Sequence, residues 1–202
     1  MISKLLLATN NKDKVSEIKN LLTNTCIHVL TLNDLNLNID VEEDKDTLEG
    51  NALKKAEEIY KVTGIPCSAD DTGLFVNALN GEPGVFSSRY AGDNASYSDN
   101  RIKLLHNLQG VPEDYRNAFF KTVVCFYNGE NDLKFFEGIC KGHITIKERG
   151  ERGFGYDSIF QPDCYDRTFA ELNIEEKNYI SHRAKAFIKF REYLEIFNIK
   201  GL

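Results

Sequence analysis

Several features that would place a chain in a specialised class are missing from this 202-residue sequence. No apolar stretch approaches the length of a membrane span, and the apolar run in MISKLLLATNNK is too short for a secretory signal peptide. No internal repeat, low-complexity tract or linker rich in proline and glycine divides the chain, so we expect a single domain over residues 1–202.

An excess of positive charge is also missing, since the formal net charge is -6 and the pI is about 5.3. Proteins that bind nucleic acid usually present a basic face, so this balance weighs against that class. It does not exclude an anionic substrate, because a bound cation can reverse the local sign of the charge. We therefore expect neither nucleic acid nor a membrane as a partner.

The cysteines also show no pattern of pairing. The five cysteines are scattered and odd in number, and they form no CxxC pair. Such usage predicts buried, reduced thiols in a cytoplasmic protein. The residues concerned are Cys26, Cys67, Cys125, Cys140 and Cys164.

Apolar periodicity along the chain predicts alternating strands and helices, followed by a hairpin. The expected strands are 4–9, 28–32, 65–69, 117–128 and 132–146. The expected helices are 12–22, a segment within 40–64, 97–108 and 181–197. Early βα units with a later hairpin predict an α/β fold with a mixed sheet. Asp46 and Glu49 have capping-box spacing, and Gly64 is a plausible helix C-cap.

The segment ATNNKDK follows the first predicted strand. The strand would end at Thr9, Asn10 and Asn11 would turn the chain, and a helix would start near Lys12. Free backbone N–H groups and the helix dipole make such a turn an anion site, to which Lys12 and Lys14 add charge. The Walker A pattern is absent. Asparagines that only cap a βα turn are the alternative interpretation.

Two adjacent carboxylates in SADDTG, Asp70 and Asp71, raise a question, because like charges repel and burial increases the repulsion. If the strands before them and before ATNNKDK are parallel, both groups lie at one edge of the sheet. Mg²⁺ binds between one or two carboxylates and substrate phosphates, and Glu42 or Glu43 could contribute a further ligand. A turn that tolerates aspartate, beside a solvated acidic run, is the alternative.

Two later segments also carry candidate residues. In GFGYDS, glycines flank Phe154, which could let a planar ring approach the backbone closely, although a loop whose aromatics fill the core is the alternative. In EEKNYISHRAKA, Lys177, His182 and Arg183 crowd the start of the last predicted helix. Positive side chains there oppose the helix dipole, so an anionic partner is expected.

In this order and at these separations, five segments resemble the inosine/xanthosine triphosphate pyrophosphatase family, which clears non-canonical purine nucleotides. They are LLATNNKDKVSEI, TLEGNALKKA, SADDTGLFVNALNGEPGVFSSRYAG, GFGYDSIF and EEKNYISHRAKAF. The resemblance implies an elongated α/β fold, with a mixed β-sheet flanked by helices and two lobes around a central cleft. It also implies a cytoplasmic, Mg²⁺-dependent homodimer that cuts ITP, dITP and XTP into the monophosphate and pyrophosphate.

The same resemblance implies roles for individual residues. Asp71 would bind metal and accept the proton from the attacking water, with Glu42, or alternatively Glu43, as the second metal ligand. The triphosphate would be held by Thr9, Asn10, Asn11, Lys12, Asp13 and Lys14. Thr72 stands where the family often has serine and would keep its substrate contact. The base pocket would be lined by Phe154, Gly155, Tyr156 and Asp157, and completed by Lys177, His182 and Arg183.

This sequence departs from the family pattern at two places. Asn10-Asn11-Lys12 stands where many relatives have a glycine nearer Lys14, which leaves the contacts of the loop open. Tyr179 replaces a smaller residue.

Elementary chemistry supports this assignment and leaves two alternatives. Side chains alternate along a strand, so we expect Asp70 and Asp71 to face opposite sides and not to share one ion. A donor such as His182 or Arg183 would favour the 6-carbonyl of inosine or xanthosine over the amine of adenine. The alternatives are a metal-dependent phosphohydrolase for other nucleotides and a nucleotide sensor that does not cut its ligand.

Overall fold

The computed structural model describes the backbone of residues 2–23 and 27–200, and side chains as far as residue 196. Cys26, one of the predicted buried thiols, lies outside this range. The described chain forms the strands β1 (Lys4–Leu7), β2 (His28–Thr31), β3 (Cys67–Val76), β4 (Pro83–Gly84), β5 (Asn117–Tyr127), β6 (Leu133–Ile144) and β7 (Phe160–Pro162). Its helices are α1 (Lys12–Leu21), α2 (Leu48–Thr63), α3 (Tyr97–Asn107), α4 (Ile174–Ile180) and α5 (His182–Lys200).

The strands form one mixed sheet flanked by helices, as predicted. Its order is β2-β1-β3-β5-β6-β7, and β4 pairs with β3. β1 runs parallel to β2 and β3, whereas β4 and β7 pair antiparallel to β3 and β6. The register of β1 on β3 sets Leu6 opposite Cys67 and Leu7 opposite Ser68, which brings the segments following these positions to the same region of the sheet.

The chain folds as two compact units. Unit 1 comprises Met1–Asp71, Thr122–Gly138 and Arg183–Leu202, and unit 2 comprises Thr72–Lys121 and Ile139–His182. Each unit has its own apolar core, and each contains some of the predicted site residues.

The core of unit 1 lies on the helices that the apolar periodicity predicted. Ile18 of α1 packs with Phe187 and Phe190 of α5, all at most 1% exposed. The helix α2 contributes Ala52 and Ile59 to a second buried cluster, together with strand residues. Such clusters remove apolar area from water, which is the main favourable term in folding.

The start of α2 differs from the prediction. Thr47, and not Asp46, is the N-cap, and its hydroxyl accepts a hydrogen bond from the Gly50 N–H at 3.0 Å. The end of the helix is as predicted, because Gly64 adopts the left-handed conformation with φ +65°. The helix therefore starts where a side-chain oxygen can satisfy an amide that has no partner within the helix.

An aromatic cluster forms the core of unit 2. The ring of Phe120 lies 4.7 Å from Phe160 and 6.1 Å from Phe169, measured between centroids. The helix α3 packs on this core through Leu104, which is fully buried. A capping box between Ser96 and Asp99 fixes the first turn of α3.

Two boundaries differ from the predictions in ways that matter for the site. β3 continues to Val76, so Asp70 and Asp71 lie within a strand rather than at the end of one. Lys177 lies on a separate short helix, α4, and only His182 and Arg183 begin the last helix. Ser181, in extended conformation, separates the two helices.

The thiols follow the prediction at three described positions and not at a fourth. Cys67, Cys125 and Cys140 are buried thiols, and burial raises the pKa of Cys67 and of Cys125 to about 12. Cys164 is exposed in the turn after β7, so the prediction of burial is wrong there. None of the helices in the described ranges is long and apolar enough to cross a membrane.

Candidate functional site

The turn between β1 and α1 is held by its own side chains. The Asn11 carbonyl oxygen Oδ1 accepts hydrogen bonds from the N–H groups of Asp13 and Lys14, at 3.0 and 3.1 Å. The Thr9 hydroxyl accepts from the Asn11 N–H at 3.2 Å. The prediction of free amides is therefore wrong for these three positions, and Asn11 performs the capping that was its alternative role.

Lys14 points from this turn towards the aspartate pair. Its Nζ lies 3.1 Å from Asp70 Oδ2 and 3.4 Å from the Asp70 carbonyl oxygen. The parallel pairing of β1 and β3 produces this contact, since the Ala8 N–H also donates to the Ser68 carbonyl at 2.8 Å. The predicted convergence of the two segments is confirmed, and Lys14 and Asp71 lie in the same unit.

Asp70 is the centre of a buried ionic network. Besides Lys14, it faces Arg183, whose Nε lies 3.5 Å from Oδ2, and Arg183 also pairs with the buried Glu17. Burial alone would raise the pKa of Asp70, but Lys14, Arg183 and Lys55 together hold it far below the usual range. This carboxylate is therefore ionised, as a paired buried charge must be.

Asp71 faces a different set of partners on α2. The Asn51 side-chain amide donates to Asp71 Oδ2 at 3.1 Å, and Lys55 Nζ lies 3.6 Å from Oδ1. Lys55 also donates to the Asp70 carbonyl oxygen at 2.7 Å. Lys14 and Arg183 contact the carboxylate of Asp70, whereas Asn51 and Lys55 contact that of Asp71. This difference agrees with the expected alternation of the two side chains along the strand.

Burial and a second carboxylate raise the pKa of Asp71. Burial has the largest effect, and it is opposed by Lys55, while Glu43 adds repulsion. Glu43 reaches this site because Lys55 Nζ also lies 2.8 Å from its Oε1. Glu42, by contrast, is exposed. Within the described part of the chain, no group of three His, Cys, Asp or Glu residues forms a metal cage.

Sequence reasoning missed three polar residues of unit 1. Asn51 and Lys55 lie four residues apart on α2, among the buried alanines of the same helix, and Glu17 is buried on α1. Polar residues at buried positions of a helix need partners, so Asn51 and Lys55 carried a signal in their spacing. The partner of Glu17 is Arg183, 166 positions away, which no local pattern identifies.

In unit 2, the loop GFGYDS brings an aromatic ring and an ion pair together. Asp157 Oδ2 accepts from the Phe154 N–H at 2.9 Å and from Lys177 Nζ at 2.6 Å. Lys177 Nζ also lies 5.1 Å from the centre of the Phe154 ring. Gly153 permits this arrangement, because it has φ +73° and a Cβ there would lie 2.1 Å from Asp157 Oδ2.

A polar pocket of about 140 Å³ opens beside this loop. Its lining includes Phe154, Gly155 and Asp157, with Arg101, Glu148, Gly150, Glu151, Arg152, Gly153 and Ser158. Tyr156 is not part of the lining. Its ring is buried and its hydroxyl donates to the Ser87 carbonyl at 2.9 Å, so it fills the core as the alternative interpretation proposed.

The adjacent residues His182 and Arg183 have side chains with different surroundings. The buried His182 ring stacks on Phe120, with centroids 4.4 Å apart and an angle of 17° between the planes. Arg183 is buried against the carboxylates of Glu17 and Asp70. The stacking partner Phe120 belongs to unit 2 with His182, and the carboxylates of Glu17 and Asp70 belong to unit 1 with Arg183. Thr72 is the first residue of unit 2 and is partly exposed.

Known proteins are similar to this chain over most of its length. The sequence profile of the Ham1 family matches residues 5–193. A dITP/XTP pyrophosphatase from Thermoanaerobacter sp. (strain X514) is 48% identical over 192 residues, which are 95% of this chain and 96% of that protein. One from Flavobacterium johnsoniae is 49% identical over 183 residues, or 91% of this chain and 93% of that protein.

Solved structures of Ham1 proteins are also similar to this chain. The Ham1 protein of Staphylococcus aureus has a TM-score of 0.84 and 39% identity, covering 95% of this chain and 98% of that one. A HAM1 protein from Coxiella burnetii has a TM-score of 0.87 and 38% identity, covering 96% and 99%.

Proposed function

Because the chain belongs to the Ham1 family, we propose that it is a pyrophosphatase that converts ITP, dITP and XTP to the monophosphate and pyrophosphate. Relatives at 48% and 49% identity are named dITP/XTP pyrophosphatases. The observation that carries the proposal is the site in unit 1, where Lys14 lies against Asp70 while Asp71 and Glu43 share Lys55. In this arrangement Lys14 would bind phosphate, and the neighbouring carboxylates would bind the metal and accept a proton from water.

We propose Mg²⁺ as the cofactor, held by Asp71 and by Glu43 rather than by Glu42. One ammonium group, that of Lys55, already lies within 4 Å of both carboxylates, so the two can approach a common cation. Two carboxylates are the protein contribution that Mg²⁺ usually takes, with phosphate and water completing its shell. When bound, the ion would offset phosphate charge and lower the pKa of its water.

Asp71 would act as the general base. Burial and Glu43 raise its pKa, which makes the carboxylate more basic than an exposed aspartate, while Lys55 favours the ionised form. A base is most effective when its pKa lies closer to the working pH, provided that it stays ionised. Asn51 orients the group through its bond to Oδ2. Asp71 can then accept the proton of the attacking water.

The triphosphate would be held by the turn after β1. Lys14 supplies a positive charge beside the aspartate pair, and Asp70, which also pairs with Arg183, fixes its position. The proposed contact residues are Thr9, Asn10, Asn11, Lys12, Asp13, Lys14 and Thr72. Because the protein is acidic overall, these local cations and the metal, and not the net charge, must attract the substrate.

The base would be held in unit 2 by the Phe154 ring and by Lys177, which Asp157 orients. A cationic donor such as Lys177 favours a 6-carbonyl over the 6-amine of adenine. Gly155 would allow the base to approach the backbone. The contacts of Tyr156, His182 and Arg183 with a base remain predictions, and their neighbours favour support of the site over direct binding.

The deciding experiment is pyrophosphate release across a panel of nucleoside triphosphates. We expect release from ITP, dITP and XTP with Mg²⁺, much less from ATP and GTP, and none with EDTA. Orthophosphate as the product, or modified pyrimidines as preferred substrates, would instead identify a different phosphohydrolase. Binding of ITP without any cleavage would identify a sensor.

We also propose a cytoplasmic homodimer. The segment PGVFSSRY is a candidate contact surface, since Phe86 is 53% exposed and Arg89 lies over its ring at 5.1 Å. Sedimentation equilibrium of the wild type and of Phe86→Ser would test it. A monomeric wild type would contradict the dimer.

A further inference from the structure

The helix α3 holds the loop of the proposed base site through two side chains one turn apart. The Tyr97 ring lies 5.8 Å from the Phe154 ring, centroid to centroid. Arg101 Nη1 donates a hydrogen bond to the Gly155 carbonyl oxygen at 2.9 Å. Residues four apart project from the same face of a helix, so α3 contacts both the ring and the backbone of this loop.

Arg101 reaches the loop as part of a small network with Glu148. Its Nε donates to Glu148 Oε2 at 2.9 Å, and the same oxygen accepts from the Ser158 hydroxyl at 2.8 Å. The Arg101 side chain is 18% exposed, and that of Glu148 is 40% exposed. The network therefore holds the loop at Gly155 and at Ser158, on either side of the buried Tyr156.

An arginine is suited to this position. Its planar guanidinium presents several donors in fixed directions, so one side chain can bond a carboxylate and a carbonyl together. Gly155 has φ +60° and, as a glycine, no side chain that could anchor it to the rest of the loop. An external donor to its carbonyl oxygen is then a direct means of fixing this peptide and, with it, the adjacent Phe154 ring.

We propose that Arg101, oriented by Glu148, is a positioning residue that sets the discrimination among nucleobases by fixing the Phe154–Gly155 segment. The inference rests on the proposed function. Arg101 acts through the loop and is not a catalytic residue. A surface ion pair alone would contribute little, so the role of Arg101 depends on its hydrogen bond to the Gly155 carbonyl oxygen.

The first test compares steady-state kinetics with dITP and dGTP for Arg101→Met. Loss of a charged hydrogen bond predicts a fall in kcat/KM for dITP of about tenfold, through KM, with kcat nearly unchanged. The preference for dITP over dGTP should shrink by about fivefold, because a misplaced loop discriminates less well. Arg101→Lys should fall between wild type and Arg101→Met.

Variants of Glu148 test whether it orients Arg101, and an arginine of unit 1 serves as the control. Glu148→Ala should resemble Arg101→Met, and Glu148→Gln, which keeps an acceptor for Arg101 without its charge, should fall between Glu148→Ala and the wild type. Arg191→Met removes an arginine that pairs with Glu195 on α5, in unit 1, and should leave KM and the dITP preference unchanged.

A binding measurement separates positioning from general destabilisation. Calorimetry with dIMP reports on the base site, and calorimetry with inorganic tripolyphosphate reports on the phosphate site. Arg101→Met should weaken dIMP binding and leave tripolyphosphate binding unchanged. Equal losses for both ligands, or a variant with wild-type KM and wild-type preference, would overturn the proposal. A wild-type enzyme that releases no pyrophosphate from dITP would instead contradict the proposed function.

Discussion

Lys14 Nζ lies 3.1 Å from Asp70 Oδ2, while the next residue of β3, Asp71, contacts Asn51 and Lys55 of α2. Two adjacent aspartates thus serve different partners. Asp70 joins the ionic network that holds Lys14, which is proposed to bind phosphate, and Asp71 joins the group proposed to bind metal and activate water. The predictions below test these separate roles.

Asp71→Asn should lower kcat for ITP by about a thousandfold, because a general base contributes factors of this order. The amide is isosteric and can keep a contact with the α2 side chains. Circular dichroism should therefore match that of the wild type. Turnover of ITP near the wild-type rate would remove Asp71 from the mechanism.

Lys14→Ala should weaken binding of inorganic tripolyphosphate by about tenfold to a hundredfold, the value of a charge-assisted hydrogen bond or two. Binding of inosine, which has no phosphate, should change little. Both are measurable as competitive inhibition of ITP hydrolysis. Lys19→Ala, an exposed lysine on the same helix, is the control, and equal losses for both ligands would refute the phosphate role.

Glu43→Gln and Glu42→Gln form a matched pair of isosteric changes. The Mg²⁺ concentration for half-maximal activity should rise about tenfold or more in Glu43→Gln, since it removes a proposed ligand. Glu42 is exposed, so Glu42→Gln should behave as the wild type. The reverse order would transfer the metal role to Glu42.

Asp70→Asn should lower the free energy of unfolding by about 3 kcal/mol at pH 7, because it leaves the buried Arg183 and the partly exposed Lys14 without their shared carboxylate. Asp70 has a lowered pKa in the folded state, so its stabilisation is present above the unfolded value and is lost as the pH falls. The difference from wild type should therefore shrink below about pH 4.

Urea unfolding at several pH values measures this effect, with Asp44→Asn as a surface control. Asp44 pairs with Lys45 and Lys54 on the surface, and its loss should hardly change stability. A destabilisation by Asp70→Asn that stayed constant from neutral pH to pH 3 would exclude ionic pairing as its cause.

Gly153→Ala should raise KM for dITP by about tenfold, because a Cβ at 2.1 Å from Asp157 Oδ2 must displace a charge-assisted hydrogen bond. Gly81→Ala is the control. It has φ +91° and no atoms near the added Cβ, so it should cost about 1 kcal/mol of stability and leave KM unchanged. Similar KM values for both variants would mean that the Asp157 contact does not shape the base site.

The early βα units could be predicted well from the sequence, because the patterns that indicate them are local. Apolar periodicity identified β1 and α1, and strand alternation correctly separated the faces of Asp70 and Asp71. It missed the continuation of β3, since aspartate and glycine are rare in strands and resemble a turn. Long-range partners such as Lys14 and Arg183 satisfy Asp70 and let the strand continue.

The site could be predicted where its residues are adjacent in sequence, and less well where they are not. Phe154 and Asp157 share one loop, and Lys177, which the family resemblance grouped with them, contacts both in the structure. Lys55 and Glu17 were missed, because their roles depend on partners that the tertiary fold supplies. The order of charges along a chain does not show which of them will be buried together.

The cap on α1 affects how readily anions in solution can bind at this turn. Since the Asn11 side chain already occupies the amides of Asp13 and Lys14, a small anion must compete with an intramolecular acceptor for them. Cellular orthophosphate and sulfate should therefore inhibit poorly. A triphosphate that binds together with its divalent cation depends less on these two amides than a small anion does. The enzyme should therefore stay active in a solution rich in phosphate.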